Sequence, residues 1–194
     1  MTERSTTNNS EDTEQVHVQT EILAGDTKNT TVLAFIEIPK GSRNKYEYDK
    51  ELQAFKLDRV LYSSVHYPTD YGYIPDTLWE DGDPLDILVL VNEPTFSGCL
   101  IESRPIGGLD MSDEKGSDFK VLAVPCNDPR FSNVLSLEDL SDHLLKEISN
   151  FFETYKILEE KQTEILGWHN AEESRAKIEH SRKLFRNPEL ITGS

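Results

Sequence analysis

The chain has 194 residues, 36% hydrophobic and 29% charged, with 36 acidic against 20 basic side chains and a formal net charge of -16. This composition suits one globular domain and excludes collagen-like, low-complexity and disulfide-scaffold classes. The negative field disfavours nucleic acid and anionic lipid as partners and favours bound cations.

Residues 1–30 hold six acidic and two basic residues, many Ser, Thr and Asn, and no aromatic. Residues 1–20 are expected to form a disordered acidic tail, with a short strand near Val16–Leu23. No apolar leader opens the chain, and the longest clean apolar run, Ile87–Val91, is far shorter than the about 20 residues a membrane span needs. A cytoplasmic protein is expected. Cys99 and Cys126 lie too far apart for a CxxC knuckle and read as buried, reduced thiols.

From Thr31 onward, short strands alternate with turn signals. Val32–Ile38 is the first, and Lys45–Tyr48 follows with Lys45 and Glu47 on one face and Tyr46 and Tyr48 on the other. Phe55–Leu61 places Phe55, Leu57 and Arg59 together. Val65–Tyr73 reads as an aromatic-rich turn. Leu85–Val91, Cys99–Arg104 and Asp118–Val124 complete the strands, whose spacing of about ten residues predicts an antiparallel barrel or sandwich. The C-terminal third changes to helical period. Ser141 caps an amphipathic helix running to Glu159, and Asn170 with Glu173 caps a second over Ala171–Phe185, which Pro188 stops. Strands first and helices last give an α+β fold.

The strongest chemical signal is Glu80-Asp81-Gly82-Asp83-Pro84-Leu85-Asp86, directly before the apolar run. Gly82 and Pro84 fix a bend that gathers three aspartates. Such a cluster repels itself unless protons, basic groups or metal ions neutralise it. Hard oxygen donors without cysteine suit Mg²⁺, Mn²⁺ or Ca²⁺. An EF-hand is excluded, because Asp86 and Asn92 stand where that loop needs Gly and Glu. A second cluster runs from Asp110 to Lys120, with Asp118 and Lys120 on one strand face. Taken singly, either cluster also reads as a solvated acidic turn. Glu37 beside Leu33 and Phe35, and Arg59 beside Phe55 and Leu57, put charge on otherwise apolar faces and suggest a polar cavity lined by both signs. Carboxylates facing Lys45, Arg59, Lys120 and Lys156 suit a small polyanion bound with divalent ions, and so metal-dependent phosphoryl chemistry.

These residues resemble the soluble family I inorganic pyrophosphatases of bacterial type from about Val32 to Phe185. The blocks Ile36–Pro39, Asn44–Glu47, Leu57–Arg59, Asp81–Asp86, Tyr67–Tyr73, Arg104–Gly107, Asp113–Lys120 and Tyr155-Lys156 carry the likeness. The resemblance implies a five-stranded OB-like antiparallel barrel with two C-terminal helices. It also implies one domain over residues 21–187, a short C-terminal tail at 188–194, and Mg²⁺-dependent hydrolysis of pyrophosphate without a covalent intermediate. By the same resemblance Asp81, Asp86, Asp113, Asp118 and Glu47 hold several Mg²⁺ ions, for which Mn²⁺ is an alternative, and Asp83 is the base beside the attacking water. Lys45, Arg59, Tyr71, Lys120, Tyr155 and Lys156 bind phosphate, and Glu37 is a polar group of the cavity. A homo-oligomer is implied, with a hexamer favoured. Asn150 and Thr154 stand where some bacterial members carry histidines that help assemble it. Two other readings compete: a non-catalytic OB-type binding module, which would want a basic face, and a metal-dependent phosphatase for organic phosphates, in which Tyr67, Tyr71 and Trp79 would line the extra pocket.

Overall fold

Val32, Ala34, Ile36 and Ile38 are all buried, and this alternation seals one face of strand β1 (Val32–Ile38) into the core. The computed structural model describes residues 31–193, so the tail expected over residues 1–20 and the strand expected at Val16–Leu23 lie outside the described residues. β1 pairs with β4 (Asp70–Tyr73), and β4 with β5 (Asp86–Val89). β5 pairs with β7 (Gly116–Pro125), β7 with β6 (Leu100–Asp113), and β6 returns to β1. Five strands thus close a ring, which leaves its members no unpaired edge. The four other pairings are antiparallel, but β5 and β7 run parallel, because β6 lies between them in the chain and carries it back to the starting end. β4 lies within the segment read as an aromatic turn. Its Gly72 sits opposite Ile36, where a β-carbon would stand 1.9 Å from the Phe35 carbonyl oxygen, so only glycine lets the two strands approach this closely.

β5 and β7 are buried on both faces, which explains their near-continuous apolar sequences. Ile87, Val89, Val121 and Ala123 pack with Val32, Ala34 and Ile36 in one cluster. Leu88, Leu122 and Val124 belong to a second cluster with Ile148, Phe151 and Phe152. The latter three are the buried stripe of helix α1 (Asp142–Thr154), capped by Ser141, whose Oγ accepts from Leu144 N at 3.3 Å. The helix ends at Thr154 and not at Glu159; a short 3-10 turn over Ile157–Glu159 follows. A further strand, β8 (Glu164–Asn170), pairs with β6 outside the ring. Its sequence hid it: Gly167 at φ +147° sits where the register shifts, which breaks the alternation. Helix α2 (Ala171–Arg186) begins with the expected reciprocal cap, Asn170 Oδ1 accepting from Glu172 and Glu173 while Glu173 accepts from Asn170 N.

β2 (Asn44–Asp49) and β3 (Ala54–Val60) form a separate ribbon. It docks on the other face of β1: the Phe35 ring lies 5.3 Å from Tyr48 and 5.9 Å from Phe55 of the ribbon, with Tyr73 of β4 beside it at 5.1 Å. Phe35 and Glu37 on that face therefore meet the ribbon, while the alternate residues fill the core. Leu57 is exposed, since the ribbon register shifts beside it. Cys99 and Cys126 are free and only half-buried. Among the described residues, no helix is long and apolar enough to cross a membrane.

Candidate active site

The bend before β5 is held from inside the protein. Thr77 Oγ1 donates to Ile74 O at 2.5 Å and accepts from Leu85 N at 2.9 Å, while Gly82 takes φ +88° and Asp83 N donates to Asp81 Oδ1 at 3.1 Å. This local network leaves Asp83 exposed and Asp81 half-buried and makes Asp86 the first residue of β5. Parallel register then sets Asp86 opposite Lys120 of β7. The Lys120 ammonium is buried between Asp86 (2.6 Å) and Asp118 (2.7 Å), above the rings of Phe152 and Tyr71. Burial opposes its charge, yet Asp118 and Asp86 outweigh burial and hold its pKa well above the usual lysine range. Burial also pushes the Asp86 carboxyl up, with Lys120 pulling the other way, and Tyr71 donates its hydroxyl to the same carboxylate.

The β6–β7 turn supplies a second wall. Asp113 Oδ1 accepts from Lys115 N at 2.8 Å, and Asp113 Oδ2 meets Lys156 Nζ at 2.7 Å. Although burial resists it, the Lys156 ammonium keeps the Asp113 carboxyl below its ordinary pKa. Lys156 follows Tyr155, the buried C-cap of α1, so the helix end delivers both side chains. The ribbon forms the third wall. Lys45 pairs with Glu47 and, at 3.2 Å, with Asp58; Arg59 meets Asp58 at 2.5 Å. Behind them Glu37 accepts from Tyr48 N at 2.8 Å, and burial raises its carboxyl to about 7.

These walls enclose a cleft of about 720 Å³, and all thirteen residues nominated from the sequence line it. Its lining carries eleven carboxylates against seven lysine and arginine side chains, and no histidine or cysteine. A surplus of hard oxygen donors fits divalent cations such as those that accompany phosphates. Each candidate ligand is held by an ammonium or a backbone N–H, and among the described residues no three carboxylates form a ready-made metal group. A cation at these carboxylates would share them with, or displace, the groups already paired there.

A comparison with protein-family models matches residues 34–186 to the inorganic pyrophosphatases. The chain belongs to that family. It is 56% identical over 151 residues to the inorganic pyrophosphatase of a Nostoc species, covering 78% of this chain and 89% of that one. To the inorganic pyrophosphatase of Geobacillus stearothermophilus it is 58% identical over 145 residues, covering 75% and 88%. The crystal structure of the Thermus thermophilus inorganic pyrophosphatase superposes with a TM-score of 0.80 at 42% identity, over 86% of this chain and 97% of that chain.

The pyrophosphatase cleft and the layer behind it also hold charged groups that sequence reasoning missed. Asp58 joins Lys45 to Arg59. Glu159 takes the Arg59 Nε, Glu114 takes Lys161 at 3.1 Å, and Lys115 reaches Asp83 at 3.0 Å. Asp58, Glu114 and Lys115 lie inside motifs already quoted, so adjacency could have flagged them. Nothing local marks Glu159 or Lys161.

Proposed function

We propose that this cleft hydrolyses inorganic pyrophosphate to two phosphates by direct attack of water, with Mg²⁺ as the preferred cofactor and Mn²⁺ as a substitute. The observation that carries the proposal is the convergence of surplus carboxylates and fixed cations in one polar cleft. Asp81, Asp86, Asp113, Asp118 and Glu47 would hold several ions. Divalent ions bound there supply a water acidic near neutral pH and offset phosphate charge.

Asp83 is 62% exposed in its side chain, so a water can reach it and give up a proton to it. Lys45, Arg59, Lys120 and Lys156 carry positive charge to the phosphates, where negative charge builds in the transition state. The Tyr155 hydroxyl, kept protonated by burial, would donate to phosphate, while the Tyr71 hydroxyl, also protonated, is given to Asp86 and would turn to phosphate only by leaving it. Glu37 closes the polar floor beneath the ribbon. No serine, cysteine or histidine nucleophile is called for.

An organic phosphate would need an apolar surface beside the phosphates. Tyr67 and Trp79 are buried in the core, at 2% and 4% exposure, so neither is available to stack a nucleoside. That favours pyrophosphate over nucleotides. The acidic lining likewise argues against a nucleic-acid-binding module. Residues 21–187 are proposed as one catalytic domain between an acidic tail and a short C-terminal extension. A cytoplasmic homo-oligomer, with a hexamer favoured, completes the proposal. Phosphate release from pyrophosphate with Mg²⁺, abolished by chelator and far faster than from ATP or phosphate monoesters, is the expected result. No release from folded protein with either metal would overturn it.

A further inference from the structure

The lysines at the carboxylates differ in one respect that bears on how a cation enters. Lys120 is buried and Lys156 is 8% exposed, so each is fixed by its surroundings. Lys115 is not. Its side chain is 61% exposed, as is that of its partner Asp83 at 62%, and their 3.0 Å contact spans the cleft mouth between two segments 32 residues apart. The turn aims it there: Lys115 N is tied to Asp113 Oδ1 at 2.8 Å, and Gly116, at φ +120°, lets the hairpin reverse directly after it.

We propose that Lys115 is an exchangeable counter-ion and positioning residue of the cleft: it holds the Asp83 carboxylate while the carboxylates at the mouth lack a divalent ion, and a divalent ion entering beside Asp81 and Asp83 displaces it. The inference rests on the metal-dependent reading of the cleft. An exposed ion pair is worth about 0.2–1 kcal/mol, so this lysine opposes cation entry weakly and leaves readily. A buried lysine such as Lys120 cannot do so. The released ammonium remains on the hairpin tip, next to where an incoming phosphate must pass. Lys115 thus lowers the repulsion among carboxylates in the metal-free protein at a small cost in metal affinity.

Direct titration with Mn²⁺ tests this, followed by electron paramagnetic resonance of the free ion at low ionic strength without substrate. Lys115→Ala is expected to bind Mn²⁺ roughly 1.5- to 5-fold more tightly than the parent at its most responsive site. Lys115→Arg should keep the parental affinity, and high salt should erase the difference. Lys146→Ala, an exposed lysine on α1 outside the cleft, controls for net charge and should change little. Equal Mn²⁺ affinity in Lys115→Ala and the parent, or an equal gain in Lys146→Ala, overturns the role of Lys115 while leaving the pyrophosphatase assignment standing. A parent that binds no Mn²⁺ and releases no phosphate overturns that assignment instead.

Discussion

Arg59 Nε and Glu159 Oε1 meet at 2.9 Å across one hundred residues of chain. The contact joins the ribbon, which otherwise packs through its aromatics on β1, to the turn that follows α1. Glu159 is 7% exposed in its side chain, whereas Asp58, the other partner of Arg59, is 31% exposed. The buried partner therefore sets the direction of the guanidinium, and the exposed one follows it.

Glu159→Gln keeps the shape but removes that charge. The expected outcome is a rise of about fivefold in KM for pyrophosphate, corresponding to about 1 kcal/mol, with a smaller change in kcat. Steady-state kinetics separate the two, and an unchanged KM would show that Asp58 alone suffices.

Lys120 lies between Asp86 and Asp118, so its removal leaves two partly buried carboxylates facing one another in the cleft. Lys120→Met is expected to lose about 3–5 kcal/mol of stability in chelator. Burial already raises the Asp86 carboxyl and the Lys120 ammonium opposes that rise, so without the ammonium Asp86 holds its proton more tightly when folded and the loss is smaller at pH 5 than at pH 8. Mg²⁺ should restore part of it. Thermal melts at the two pH values, with and without Mg²⁺, give all three comparisons.

Burial lifts the Glu37 carboxyl from 4.5 to about 7. A carboxyl that holds its proton more tightly when folded stabilises most below its unfolded pKa, and that contribution is lost as pH rises from about 4.5 to 7. Glu37→Gln, which keeps an acceptor for Tyr48 N, is expected to exceed the parent by on the order of 1–2 kcal/mol at pH 8 in chelator. Below pH 4.5 the difference should shrink towards zero. Denaturant titrations at both ends of the range check the sign, and a Gln variant weaker at pH 8 contradicts it.

Asp83→Asn retains a hydrogen-bonding side chain but no proton acceptor. Turnover is expected to fall about 10²–10⁴-fold while Mn²⁺ still binds at the remaining carboxylates. Phosphate release and Mn²⁺ titration on the same preparation distinguish this from general loss of the site.

The segment Asp81–Asp86 was legible because glycine, proline and mutually repelling aspartates crowd into six residues, and no apolar core explains such a cluster. The starts of both helices were legible, since Ser141 and Asn170 cap by local bonds alone, whereas the first helix stops five residues short of Glu159. Strand β1 was found at its true limits, but the work done by each of its faces was not. Phe35 is as apolar as Val32 and Ile36, and only the ribbon packed on it tells the two faces apart. β8 stayed hidden behind Gly167, and β4 behind its brevity and Gly72. Glu159 and Lys161 acquire partners only through tertiary approach, which no periodicity records.

The parallel pairing of β5 with β7 has a consequence for how activity arises during folding. Asp86 and Lys120 stand opposite each other only if this register is correct, and a slip of one residue would turn the side chains of the strand that moved to the opposite face. The same strands hold the ring shut, together with a β1–β6 closure that joins residues about seventy positions apart. Contacts of such long sequence separation form late and slowly. Catalytic competence should therefore emerge together with ring closure, as one cooperative step, and the recovery of enzyme activity on refolding becomes a clock for the slowest event in making the fold.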